Sequence, residues 1–184
     1  MTGARRPTPP PGHLRQPSAW RRRLPAVALA IVGLLIAGYL ALFQLGVVPD
    51  VAEPLFGDGS RRVLTSAISR LLPLPDAALG ALAYLGEIVV GLIGGPRRWR
   101  TMPGIALLFG AMVVLTGATA VLLVALQIVV VRAFCTLCLV SAAISLTIVP
   151  LSLEEPLAAL RVVRDARARG HGTWRVLWRG LEGD

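Results

Sequence analysis

The chain has 184 residues, 55% hydrophobic and 16% charged, with a formal net charge of +9 and no lysine. Its apolar residues run in blocks too long and too uniform for a soluble amphipathic bundle, which excludes that class. Its arginines sort by loop, so the basic balance calls for no nucleic-acid partner.

Residues 1–23 are rich in Pro, Gly and Arg, with Pro9-Pro10-Pro11, and predict a disordered basic tail. Four apolar blocks follow, Leu24–Val48, Leu74–Gly94, Pro103–Val131 and Ala133–Ser152. Each reaches the roughly 20 residues that cross a bilayer core as a helix. The predicted fold is all-α, a polytopic membrane four-helix bundle over residues 24–152 with flanking interfacial helices. The first block exceeds a signal-peptide core and ends in Val47-Val48-Pro49-Asp50, so it reads as a retained span.

Arg5, Arg6, Arg15, Arg21, Arg22 and Arg23 precede span one. Arg97, Arg98 and Arg100 separate spans two and three, and Arg161, Arg164, Arg167, Arg169, Arg175 and Arg179 follow span four. Only Arg61, Arg62, Arg70 and Arg132 lie in the alternate loops. The positive-inside rule then places both termini in the cytoplasm, and the Pro49–Pro73 loop and the turn near Arg132 outside.

Span one carries only Tyr39 and Gln44 as polar features, so its expected role is packing. In the outer loop, the apolar spacing over Val63–Leu72 predicts an amphipathic helix on the membrane surface. Span two contains Asp76, either a helix-start residue after Pro75 or a polar contact, and the deeper Glu87, which must face the bundle interior. Gly80, Gly86, Gly91, Gly94 and Gly95 permit close helix contact there. Arg97-Arg98-Trp99-Arg100 reads as a cytoplasmic interfacial anchor. Gln127, one turn before the end of span three, suits either a ligand carbonyl or interhelical bonding. After span four, Glu154-Glu155-Pro156 opens a further helix with its acids at the positive end of the dipole. Residues 153–184 are expected to form a basic amphipathic cytoplasmic tail, with Leu157–Trp178 lying on the anionic inner membrane surface.

Phe134-Cys135-Thr136-Leu137-Cys138 holds both cysteines of the chain, at the mouth of span four. Cysteines three apart share a helix face and can close a disulfide. The helix dipole and Arg132 acidify a thiol placed there. Cys135, as the outer residue, is the expected nucleophile, and Cys138 faces inward. Structural zinc needs four ligands, and His13 and His171 fall on the opposite side, so no metal site is expected. Haem attachment needs a histidine where Leu139 stands. Two inert buried thiols are the bland alternative. Ser141 and Ser145 share the face of Cys138 and either line a pocket or pack tightly.

The hairpin ATAVLLVALQIVVVRAFCTLCLVSAAISL and the stretch SRRVLTSAISRLLPLPDAALGALAY resemble the vitamin K epoxide reductase family, with Ser66, Pro75, Gly80 and Tyr84 on favoured positions. The resemblance runs from Gly57 to Ile148 and implies a thiol–quinone oxidoreductase of the bacterial inner membrane. Cys138 then lies against a quinone, menaquinone or ubiquinone, and Cys135 takes part in thiol exchange. Asp76 stands where animal members carry a quinone-contacting Asn, and Ala142 where they carry a Tyr. With Gly80, Tyr84, Gln127 and Ser141 these are the candidate quinone contacts. The partners implied are membrane lipid and an extracytoplasmic thioredoxin-like thiol protein. The family's loop cysteines are missing: the second falls at Ser60 and the first near Ala52. A thiol must therefore reach Cys135 directly, or the chain is a non-catalytic relative or a redox sensor.

Overall fold

The computed structural model describes residues 16–66, 69, 75–170 and 172–179, and within them the chain is helical with no strand. In order, the helices are α1 (Trp20–Gln44), α2 (Gly59–Leu64), α3 (Asp76–Leu92), α4 (Arg98–Thr101), α5 (Pro103–Leu126), α6 (Thr136–Ser152), α7 (Glu154–Ala168) and α8 (Thr173–Arg179). A π-helical turn, Gln127–Val131, extends α5. The all-α membrane bundle expected from the sequence is the observed architecture. α1 and the continuous Pro103–Val131 helix are long and apolar enough to cross a bilayer, and α6 with α7 forms a bent pair that also qualifies.

Local chemistry sets the helix ends. Pro103 opens α5 at a position where its missing N–H is an orphan in any helix. α3 starts after Pro75 with Asp76 in its first turn. Pro150 withholds one ladder hydrogen bond three residues before the chain bends by 43° at Leu153. α3 and α6 have 17 residues each, about 26 Å at 1.5 Å per residue.

Small residues on one face of α1 form its contact with α3. Ala26, Ala30 and Ala37 are buried, and the Tyr84 ring fills the space a side chain at Gly33 would take. Phe109, Val113, Ile144 and Ile148 complete this core from α5 and α6. Apolar side chains gain little by leaving lipid tails for one another, so close approach of backbones carries the association.

Three expectations are corrected at the arginine-rich end. Ser18 is fully buried and α1 begins at Trp20, so the tail does not extend to residue 23; residues 1–15 lie outside the described part. Arg23 is buried and donates to the carbonyls of Gly91, Ile93 and Gly94, closing the C-terminus of α3. Arg98 is no surface anchor: it is 1% exposed, makes a two-point ion pair with Glu155, and donates to the Val90 and Ile93 carbonyls at 2.6 and 2.7 Å. α7 does not simply lie on a membrane surface; Ala158, Ala159, Val162, Val163 and Ala166 are buried, with Pro156 seated on Gly110 of α5. Unpaired backbone carbonyls and charges are costly in an apolar setting, and these arginines and acids satisfy one another there.

At the opposite end, α2 starts at Gly59 and stops at Leu64, so it covers the first two residues of the stretch Val63–Leu72 expected to be helical. Most of residues 67–74 lie outside the described part. Tyr39 holds the loop by accepting the Ala52 amide at 3.2 Å. Gln44 reaches toward the Leu64 carbonyl and Ser69, both at 3.3 Å, and toward Asp76.

Candidate functional site

Cys135 and Cys138 form a disulfide, with Cα atoms 5.2 Å apart. Cys135 is the N-cap of α6, in extended conformation, and its Sγ accepts the Cys138 amide at 3.1 Å. The approach to it is tightly built. The π turn ends in Arg132, a non-glycine residue at φ 52°, which reverses the chain. Gln127, 4% exposed, accepts the Cys135 amide on Oε1 at 3.1 Å. That bond positions the cysteine's backbone through the Gln127 carbonyl oxygen.

The exposures of the two cysteines are the reverse of the sequence expectation. Cys135 is 0% exposed, enclosed with Val63 and Ala133, while Cys138 is half-buried. Cys138 packs at the edge of a cluster formed by Leu40, Val51 and Leu64, with Tyr39, Phe43 and Ala77 around it. The outer loop lies over the first turn of α6 and supplies that cover. Phe56 meets Phe134 at 5.4 Å between ring centroids, and a Cβ on Gly59 would fall 2.0 Å from the Phe134 carbonyl oxygen.

Sequence reasoning passed over Glu53, the carboxylate at the centre of this cover. It accepts the Thr136 amide at 3.0 Å, the Thr136 and Ser60 hydroxyls, and the Leu55 and Phe56 amides at 3.3 Å. Burial raises its pKa, but the hydrogen bonds from Ser60, Thr136 and Leu55 outweigh that and bring it down to about 2. The signal for it was available: α6 has no acid in its own first turn, so the positive end of its dipole is open to a carboxylate from elsewhere.

The remaining candidates fall into two groups. Tyr84 is buried, and its hydroxyl lies 2.8 Å from the Ser141 carbonyl and 2.7 Å from Ser145 Oγ, tying α3 to α6. Ser141 Oγ, one turn beyond Cys138, is buried without a hydrogen-bond partner, and Ala142 beside it is buried. Asp76 and Gly80 sit nearer the start of α3. The Asp76 carboxylate is engaged by Gln44, by Ser69 at 3.0 Å and by the Ala77 amide at 2.9 Å, while Gly80 faces Ala37 of α1 at ordinary contact distance. Glu87 lies deeper and is 2% exposed. The Thr116 hydroxyl faces its carboxyl but gives its proton to the Met112 carbonyl, leaving both Glu87 oxygens unpartnered.

A quinone is a flat apolar ring with two carbonyl acceptors. The half-buried Cys138, its apolar surroundings and the unused Ser141 hydroxyl fit such a group. Among the described residues, no group of three or more His, Cys, Asp or Glu is placed to hold a metal ion.

No curated protein sequence matches the chain. The model of the vitamin K epoxide reductase family does, over residues 24–153, which takes in every helix from the body of α1 through α6 and the disulfide at its cap. The chain therefore belongs to the vitamin K epoxide reductase family, a family of oxidoreductases.

Proposed function

We propose that this protein is a membrane thiol–quinone oxidoreductase that takes electrons from an extracytoplasmic, thioredoxin-like dithiol protein. The observation that carries the reading is the Cys135–Cys138 disulfide at the cap of α6. A partner thiolate attacks Cys135 Sγ, the disulfide breaks, and Cys138 leaves as a thiolate. The partner's second thiolate then attacks the mixed disulfide, releasing the partner oxidised and leaving Cys135 reduced. Two electrons and, after protonation from the partner or solvent, two protons now reside on the pair. A bound quinone, menaquinone or ubiquinone, supplies the acceptor for both. In this chain, the Cys138 amide that meets Cys135 Sγ favours the thiolate at Cys135. The Ser141 hydroxyl is the free donor for a quinone carbonyl. Tyr84, held by Ser141 and Ser145, fixes α6 against α3 beside it. Gly80, Ala142, Gln127 and Asp76 shape or support the site.

The arginine asymmetry favours cytoplasmic termini and an outward-facing disulfide in a bacterial inner membrane. Ser60 stands where a loop thiol would relay electrons, so the partner delivers its thiol to Cys135 itself. The test is quinone reduction on adding dithiothreitol to detergent-solubilised protein, with Cys135→Ser/Cys138→Ser as blank. A rate above the blank with a benzoquinone or a naphthoquinone is expected. No rate with either would leave a non-catalytic, partner-binding or redox-sensing role.

A further inference from the structure

We infer that Glu53 is a positioning residue for thiol exchange: by fastening the outer loop to the first turn of α6 it closes the loop over Cys135, and the loop must lift before a thiol reaches that sulfur. The inference rests on the reading that Cys135 receives the incoming thiol. Exchange needs a thiolate to approach the attacked sulfur along the disulfide axis, opposite the leaving sulfur. A sulfur that is 0% exposed offers no such approach. The cover comes from the loop: Val63 packs on Cys135, Phe56 on Phe134, and the Gly59 backbone lies directly on the Phe134 carbonyl.

One carboxylate joins the three pieces. Glu53 takes hydrogen bonds from its own turn at Leu55 and Phe56, from Ser60 in α2, and from both the amide and hydroxyl of Thr136 in α6. Thr136 lies between the two cysteines in sequence, so the fastening point is the motif itself. Ser60, the residue at the missing relay position, is one of the donors. The loop position that would have carried electrons thus helps to shut the site. The partner, a dithiol protein, must compete for these contacts as it docks.

The experiment uses the full-length oxidised protein in detergent and no quinone. Reduced glutathione is added, samples are quenched in acid, and opening of Cys135–Cys138 is followed by the gel shift of a polymer-tagged maleimide. Glu53→Ala removes all of these charge-assisted contacts, so it should raise the reduction rate by about tenfold or more. Its thermal unfolding is measured alongside. Gly59→Ala gives an independent opening, because its Cβ displaces the loop from Phe134 without touching Glu53, and it should also accelerate reduction. Asp58→Ala, an exposed neighbour, is the unchanged control. A Glu53→Ala rate within about twofold of wild type overturns the inference; should that variant not fold, the same result with Gly59→Ala does so. Because no quinone is present, a failure here is separate from a failure of quinone reduction.

Discussion

Cys135 is a helix cap and half of a disulfide at once, and its two roles separate on substitution. Serine is a favoured N-cap, so Cys135→Ser should keep α6 and lose all exchange with external thiols. Cys138→Ser should instead trap a mixed disulfide between Cys135 and the dithiol partner, because the resolving thiol is gone. Non-reducing gels of the two variants check this; identical adducts would reverse the roles assigned. Glu53 gives a second prediction at this scale. Its partners are hydroxyls and amides, and its pKa stands near 2 against an ordinary 4.5. A depressed carboxyl contributes its stabilisation in full above the ordinary value and loses it as pH falls through the folded one. Disulfide opening by a water-soluble phosphine, normalised to a model disulfide, should stay flat from neutral pH to about 4 and rise toward 2. Glu53→Gln should show no such rise. The cysteine pair was legible in the sequence because spacing and place along the chain reveal it. Glu53 was not, because its main contact is to Thr136, 83 positions away.

The elements were legible where composition alone decides them. Long apolar blocks gave α1, α3, α5 and α6, and Glu154-Glu155-Pro156 marked the start of α7. What the sequence hid was contact between elements. Arg23 and Arg98 resemble interfacial arginines, and only the meeting of α1, α4 and α7 at the end of α3 shows that they close its carbonyls. Likewise the spacing did not reveal that the Val63 and Leu64 side chains turn inward to the disulfide and to Leu40. The buried pair Arg98–Glu155 yields a prediction about elements. Glu155→Leu alone should lower stability by about 3–5 kcal/mol by leaving a buried guanidinium without its counter-ion. Arg98→Met/Glu155→Leu should recover part of that loss; recovery stays incomplete because Arg98 also serves the Val90 and Ile93 carbonyls. Thermal unfolding in detergent of the two variants measures the difference, and equal losses would deny the coupling.

On the scale of the whole molecule, the bundle has two chemically distinct ends. One gathers Arg22, Arg23, Arg98, Glu154 and Glu155, with Ser18 bonded to Glu155 at 2.6 Å. The other holds the disulfide, Glu53, and the Gln44–Ser69–Asp76 cluster. The arginine asymmetry predicts that the first end faces the cytoplasm. Single cysteines introduced as Asp58→Cys and Arg97→Cys, in the Cys135→Ser/Cys138→Ser background, test this at two exposed positions. An impermeant maleimide added to intact cells should label the first and spare the second. The opposite pattern would turn the molecule over and remove the oxidising compartment from the disulfide.

The lengths of α3 and α6 bear on the lipid around them. At 17 residues each they fall about 4 Å short of a 30 Å hydrocarbon layer, while α1 and the Pro103–Val131 helix exceed it. The guanidiniums that close α3 bring charge to its very end, so the polar boundary is drawn inward along that flank. Acyl chains beside α3 and α6 must shorten or splay, at fractions of a kcal/mol per ångström, while the longer helices tilt. α3 and α6 each pack between α1 and α5 rather than side by side, so this thinning falls on two separate flanks of the bundle instead of forming one continuous groove in the lipid.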